Sequence, residues 1–185
     1  AVSFNSGRSA FYAILKTLMP ASAESSGVAM QAFTCNAAIN PVLWAKMRPI
    51  YVDCSEDTFN IDIVDLKAKI AALRQARGKI LMVQHTFGNP ANMDEIIFIV
   101  RQYGLTLVED CAHALGAEFN GQKVGTFGKA SFFSFSRDKV ISSVYGGMAV
   151  TNDPSLAEKL RKAQGEFGMP NSWWVFQQLL HPIFL

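Results

Sequence analysis

Two rhythms of hydrophobic and polar positions alternate along the chain. Short runs dense in apolar and β-branched residues occupy 28–33, 49–52, 79–83, 105–108, 131–135 and 147–151. Between most of them the apolar residues recur every three or four positions, which is the spacing of one helix face. Residues 9–19 put Phe11, Ile14, Leu15 and Leu18 on such a face, and residues 62–76 put Ile63, Leu66, Ile70 and Leu73 on another, with Asp62 as N-cap. Asn92-Met93-Asp94-Glu95 has capping-box spacing with Asn as the cap, and opens a helix over 92–102. Asp153-Pro154 opens a last clear helix with proline in its first turn.

Strands alternating with amphipathic helices predict an α/β fold, a mostly parallel sheet sandwiched by helices. The stretch 105–151 departs from that alternation. It carries turn residues at Asn120-Gly121 and from Gly125 to Gly128, then two strands with no helix between them. Such strands lack the crossover that parallel neighbours need, so the sheet is expected to be mixed. In open α/β sheets ligands sit beyond the carboxyl ends of the strands. Three predicted strand ends carry chemistry: Gln84-His85, Glu109-Asp110, and the run Ser134-Phe135-Ser136-Arg137-Asp138-Lys139.

Composition then narrows the classes. Half of the 185 residues are hydrophobic, 14 of them Phe, so the chain is globular rather than disordered. Seventeen Lys+Arg against fifteen Asp+Glu leave a formal charge of +2, and the cations form no run, so nucleic acid is not expected as a partner. Cys35, Cys54 and Cys111 are odd in number and lack CxxC spacing, and His85, His113 and His181 are scattered. Neither a disulfide framework nor a metal site follows, and a reducing, cytoplasmic setting is expected. No secretory leader is read at the start. The opening Ala1-Val2-Ser3-Phe4-Asn5 reads as protein interior running into a helix, so a fragment with an incomplete N-terminus is expected. The apolar stretch 172–185 is shorter than the roughly 20 residues that span a bilayer. It is expected to be a helix packed on further protein rather than one lying in a membrane interface.

Three segments could carry chemistry. Asp110 ends a buried strand, where a carboxylate needs a partner such as a protonated heterocyclic nitrogen; the alternative is an N-cap for a helix starting at Cys111. Lys139 lies in a loop with no helical face to decorate, where its amine could attack a carbonyl; the alternative is a solvated loop lysine. Ser6-Gly7-Arg8-Ser9 precedes an amphipathic helix, whose free N–H groups and small residues make an anion cradle, or an ordinary Ser cap. Ser134 could add a hydroxyl to the same anion. An anion cradle, a strand-end carboxylate and a loop lysine together are what pyridoxal phosphate demands.

The blocks Glu109-Asp110-Cys111-Ala112-His113-Ala114-Leu115-Gly116-Ala117, Asn120 to Gly128, and Ser134 to Lys139 closely resemble the sugar aminotransferases of the DegT/DnrJ/EryC1/StrS family. Ser6-Gly7-Arg8-Ser9-Ala10 resembles that family's phosphate turn. Phe33-Thr34-Cys35-Asn36-Ala37-Ala38 and Gly88-Asn89-Pro90-Ala91-Asn92-Met93-Asp94 resemble two further elements, so the match runs from residue 5 to about residue 166. The resemblance implies the large domain of a fold type I, aspartate aminotransferase-like enzyme over residues 1–165. Residues 166–185 would be an apolar tail leading to a small C-terminal domain. It implies that Lys139 holds pyridoxal 5′-phosphate covalently and moves the proton between carbon centres. Asp110 would pair with the pyridine nitrogen, and His113 would lie near the ring. Ser134 and the backbone of Gly7 and Arg8 would bind the phosphate.

The implied reaction is transfer of an amino group, from glutamate, to a nucleotide-linked keto-sugar in polysaccharide or secondary-metabolite synthesis. The implied assembly is a homodimer with shared sites. Two alternatives stay open: an inactive binding or regulatory protein on the same fold, and a dehydratase using the same cofactor. Lysine at position 139, where some relatives have His and dehydrate, favours transamination. Cys35 stands where the family often stacks an aromatic on the ring, Arg8 where Thr is usual, Ser136 where His is frequent, and Val144-Tyr145-Gly146-Gly147 where Gly-Glu-Gly-Gly is usual.

Overall fold

The computed structural model describes residues 1–19, 26–77 and 79–180. The elements are β1 (Val2–Phe4), α1 (Gly7–Leu18), β2 (Gly27–Gln31), α2 (Asn36–Trp44), β3 (Arg48–Val52), α3 (Ile63–Gln75), β4 (Ile80–Gln84), α4 (Met93–Tyr103), β5 (Thr106–Asp110), β6 (Glu118–Phe119), β7 (Gln122–Lys123), β8 (Ala130–Ser134), β9 (Gly147–Val150), α5 (Pro154–Glu166) and α6 (Ser172–Leu180). Seven strands form one sheet in the order β1-β9-β8-β5-β4-β2-β3. From β3 to β8 every pairing is parallel, whereas β9 lies antiparallel to both β8 and β1. The mixed sheet expected from the helix-free stretch is therefore present, and β9 is its antiparallel member.

Alternate residues of the central strands feed two cores. Met30, Met82, Val108 and Phe132 pack with Phe11, Ile14 and Leu15 of α1, Val42 of α2 and Leu160 of α5. Ala29, Leu81, Val83 and Leu107 pack on the other face with Leu66, Ile70 and Leu73 of α3 and Ile96 and Ile99 of α4. Both faces of the sheet are thus covered, which explains why β2 and β4 are buried at every position and read as continuous apolar runs.

The capping signals hold. Asp62 accepts the N–H of Asp65, and Asp153 accepts those of Ser155 and Leu156. Asn92 Oδ1 accepts from Glu95 N–H, and its Nδ2 donates to Glu95 Oε2 at 2.7 Å, so the Glu95 carboxylate meets the cap's side chain and not its backbone N–H. Asn120 and Gly121, both at positive φ, join β6 to β7 in a tight hairpin.

Two elements were not legible. β1 is three residues long and owes its existence to pairing with β9. Helix α2 is capped by Cys35 and contains Pro41, a residue that reads as a helix breaker. One alternative is corrected: no helix starts at Cys111. Asp110 Oδ1 instead closes a turn by accepting the N–H of Ala112 at 2.9 Å. Helix α6 forms in the apolar tail and buries none of its residues. His181 and the tail beyond it lie outside the described residues.

Candidate active site

The parallel strands all present their carboxyl ends at one edge of the sheet, and a cavity of about 580 Å³ opens there. Gly7, Arg8, Cys35, Asp110, His113, Ser134 and Lys139 all line it, so every site residue that the family resemblance singles out comes to one place. They arrive from the start of α1, the start of α2, the end of β5, the end of β8 and the loop between β8 and β9.

The anion end is built by close approach. Ser6 caps α1, its hydroxyl accepting the N–H of Ser9 and its carbonyl that of Ala10. The N–H groups of Gly7 and Arg8 stand one step nearer the helix start, where the helix offers no acceptor. A Cβ on Gly7 would stand 3.0 Å from Ser134 Cβ and 3.2 Å from Phe133 O, so only glycine lets helix and strand end meet there without displacement. A Cβ on Gly147 would strike the Ser6 backbone at 2.2 Å, which fixes β9 under the same turn.

The opposite end carries the titrating groups. Asp110 is buried, and burial raises its carboxyl from 3.8 to about 6, against smaller opposing effects of the Ala112 N–H, His85 and Lys139. Lys139 Nζ lies 3.0 Å from His113 Nε2 and 3.1 Å from Asp138 Oδ2. Burial, and then the charge of Lys139, hold His113 below its ordinary value, so the imidazole is neutral and accepts the lysine N–H. Asp138 is held below its ordinary value first by the Ser136 hydroxyl and then by Lys139. The His113 Nδ1 is buried without a partner.

The strand end at Gln84 was marked in the sequence, but not the hydrogen-bond network it joins, of which Thr34, Gln84 and Thr86 line the cavity. Gln31 and Gln84 end adjacent parallel strands, and both donate to Thr86 Oγ1, at 3.0 and 3.1 Å. Thr34 donates to Gln84 Oε1 at 2.6 Å, and Thr86 donates to Phe59 O. Two glutamines at the ends of neighbouring apolar strands were the available signal. Phe33 and Phe87, both exposed, also line the cavity, and Phe87 lies parallel to His113 with centroids 6.0 Å apart. Cys35, exposed, accepts the N–H of Ala37 as the cap of α2.

Glu109, the other acid of the pair, points away from the cavity. Its carboxylate accepts from Gly125, Phe127 and Gly128 N–H at 2.7–2.8 Å and faces His85 Nε2 at 3.3 Å. His85 Nδ1 in turn accepts the Ala91 N–H. Although His85, Glu109 and Cys111 cluster closely enough for a metal ion, both His85 ring nitrogens and the Glu109 carboxylate are already engaged. Burial and Glu109 also push the Cys111 thiol up, so it stays neutral. This cluster is a structural rivet.

Residues 1–179 match the DegT/DnrJ/EryC1/StrS aminotransferase family. The chain belongs to that family. A putative pyridoxal phosphate-dependent aminotransferase of Bacillus subtilis, EpsN, is 35% identical over 166 residues, covering 87% of this chain and 42% of that protein. GDP-perosamine synthase of Caulobacter vibrioides is 34% identical over 176 residues, covering 95% of this chain and 46% of the relative. Among solved structures, Helicobacter pylori PseC, an aminotransferase of pseudoaminic acid biosynthesis, superposes with a TM-score of 0.78 at 29% identity, covering 86% of this chain and 42% of that one. The chain thus spans less than half the length of these relatives. The fold is that of the pyridoxal-phosphate aminotransferases.

The cavity of this DegT/DnrJ/EryC1/StrS member fits that cofactor on its own geometry. The Gly7–Ser134 cradle suits a phosphate, a buried carboxyl raised to about 6 is relieved by a cationic ring nitrogen, and an amine lines the same space.

Proposed function

We propose that the protein is a pyridoxal-phosphate-dependent aminotransferase acting on a nucleotide-linked keto-sugar, with glutamate as donor. The observation that carries the reading is the single cavity joining Lys139, Asp110 and the start of α1. When bound, the cofactor supplies a carbonyl for an amine and a ring that takes up electron density from a carbon losing its proton. Lys139 is the amine. As a free amine, its Nζ would take the α-proton of the donor and later give a proton to the sugar carbon. Asp110 keeps the proton on the ring nitrogen, which sustains that electron uptake. The N–H groups of Gly7 and Arg8 and the Ser134 hydroxyl would hold the phosphate, and His113, which accepts the lysine N–H, would lie near the ring. Phe33 and Phe87 at the mouth supply the apolar wall that Cys35 does not.

The nucleotide-sugar substrate is supported by the names of the relatives, GDP-perosamine synthase among them. Amino-sugar synthesis for a polysaccharide or secondary metabolite is the corresponding role. Residues 1–165 are read as the cofactor domain, completed by a small C-terminal domain and by a second copy that shares the sites. The site is cytoplasmic in this reading; no described helix is long and apolar enough to cross a membrane.

The test is covalent. Full-chain protein treated with pyridoxal phosphate and then borohydride should carry the added mass on the peptide containing Lys139. Lys139→Ala should lose it, with labelling down by more than about a thousandfold, since no other described lysine lines the cavity. Label distributed over surface lysines in both proteins overturns the reading. Amino-donor-dependent product formation from a panel of nucleotide keto-sugars then identifies the substrate.

A further inference from the structure

The loop that carries Lys139 leaves β8 and returns to β9, and its neck is closed by its own backbone. Phe135 N–H donates to Gly146 O and Ser143 N–H to Phe135 O, each at 2.9 Å. Beyond that neck the loop has little packing: Val140 and Ile141 are exposed. Val144 adopts φ +67°, a left-handed conformation that a β-branched residue keeps only when its surroundings impose it.

The next residue, Tyr145, lines the cavity and gathers the contacts that tie the loop to α6. The Arg137 guanidinium lies over the Tyr145 ring, 5.2 Å from its centroid, and Trp174 of α6 packs against that ring at 4.8 Å. Arg137 Nη2 also donates to Gln178 Oε1 of α6 at 2.7 Å. Arg137 and Tyr145 flank Lys139 in the loop, and both are tied to the same helix. Since α6 buries none of its residues, core packing does not explain where it sits. A planar guanidinium is suited to this double task, because it stacks on a ring face while donating in its own plane.

We propose that Arg137 is a positioning residue: it clamps Tyr145 against Trp174 of α6 and so sets the loop that delivers Lys139 into the cavity. The proposal rests on the reading of Lys139 as the carbonyl-binding amine. Lys139 is 14% exposed with the clamp closed. With the clamp open, the loop swings outward, and the amine gains solvent while losing the cavity.

The test uses the full chain and two probes of Lys139, each read by peptide mass mapping. One is pyridoxal phosphate fixed with borohydride; the other is an amine-acylating reagent. Exposed Lys159 serves as internal reference, and urea unfolding reports stability. Arg137→Ala and Trp174→Ala are expected to slow pyridoxal phosphate fixation by about tenfold, while acylation of Lys139 relative to Lys159 rises. The double variant falls no further than the worse single one, because both open the same clamp. Arg137→Lys restores part of the rate, and the unfolding midpoints stay close to wild type.

Unchanged rates at Lys139 in Arg137→Ala overturn the proposal, as does a change matched at Lys159 or tracking a lost midpoint. If pyridoxal phosphate fails to fix on the wild type while acylation still depends on Arg137, the cofactor reading falls and the clamp stands. If fixation is equal in all variants, the clamp falls and the cofactor reading stands.

Discussion

Glu109 and Asp110 are neighbours at the end of β5, yet they serve two different regions. Each acid lies near a histidine and a nucleophile: Glu109 near His85 and Cys111, Asp110 in one cavity with His113 and Lys139. The Glu109 side is closed, with three backbone N–H groups and an imidazole on one carboxylate. The Asp110 side is open: its carboxyl is raised to about 6 by burial, and the Nδ1 of His113, which lines the same cavity, is buried without a partner. Residue types alone do not separate a rivet from a site. Satisfaction of the polar groups does, because a saturated cluster has nothing left to offer a ligand.

The largest expected effect probes the closed side. Glu109→Ala strands one buried and two part-buried N–H groups and His85, and should destabilise the fold by about 3–5 kcal/mol in urea unfolding. A loss under about 1 kcal/mol would remove the distinction between the two regions.

A smaller effect, with a characteristic pH dependence, is expected on the open side. The folded carboxyl of Asp110 titrates at about 6 against an ordinary 3.8, so the folded state holds this proton more tightly than the unfolded chain. Its contribution to stability therefore falls as pH rises between those values and is level above them, reaching on the order of 3 kcal/mol of cost. Asp110→Asn should abolish that slope and leave the empty protein more stable than wild type at pH 8. Equal urea midpoints for the two proteins at both pH 4 and pH 8 would contradict the assignment.

The smallest effect concerns His113. Burial is the larger cause of its lowered titration and Lys139 the second. Lys139→Met should therefore move the imidazole only part of the way back toward 6.5, as followed by NMR of its ring protons. No movement would mean that the amine does not reach the imidazole in solution.

Much of this was legible because it is local. Periodicity and caps marked α1, α3, α4 and α5. The strand-end rule marked Asp110 and Ser134, and the demands of the cofactor together with the family resemblance joined them to Gly7 and Lys139. What escaped depends on partners far along the chain. β1 exists through β9, and a proline hid α2. The split of Glu109 from Asp110 needs the loop at Gly125–Gly128. The network joining Gln31 and Gln84 through Thr86 needs two strand ends brought side by side. The clamp on the lysine loop needs Arg137 to meet Gln178 across 41 residues, which no periodicity encodes.

The central claim is that Asp110 grips the ring nitrogen of a ligand whose carbonyl end faces Lys139. Pyridoxal phosphate labelled with ¹⁵N in the ring reports this directly in an NMR spectrum of the loaded full chain. At pH 8 the account predicts a protonated ring nitrogen in the wild type and a neutral one in Asp110→Asn. The same shift in both proteins would contradict it.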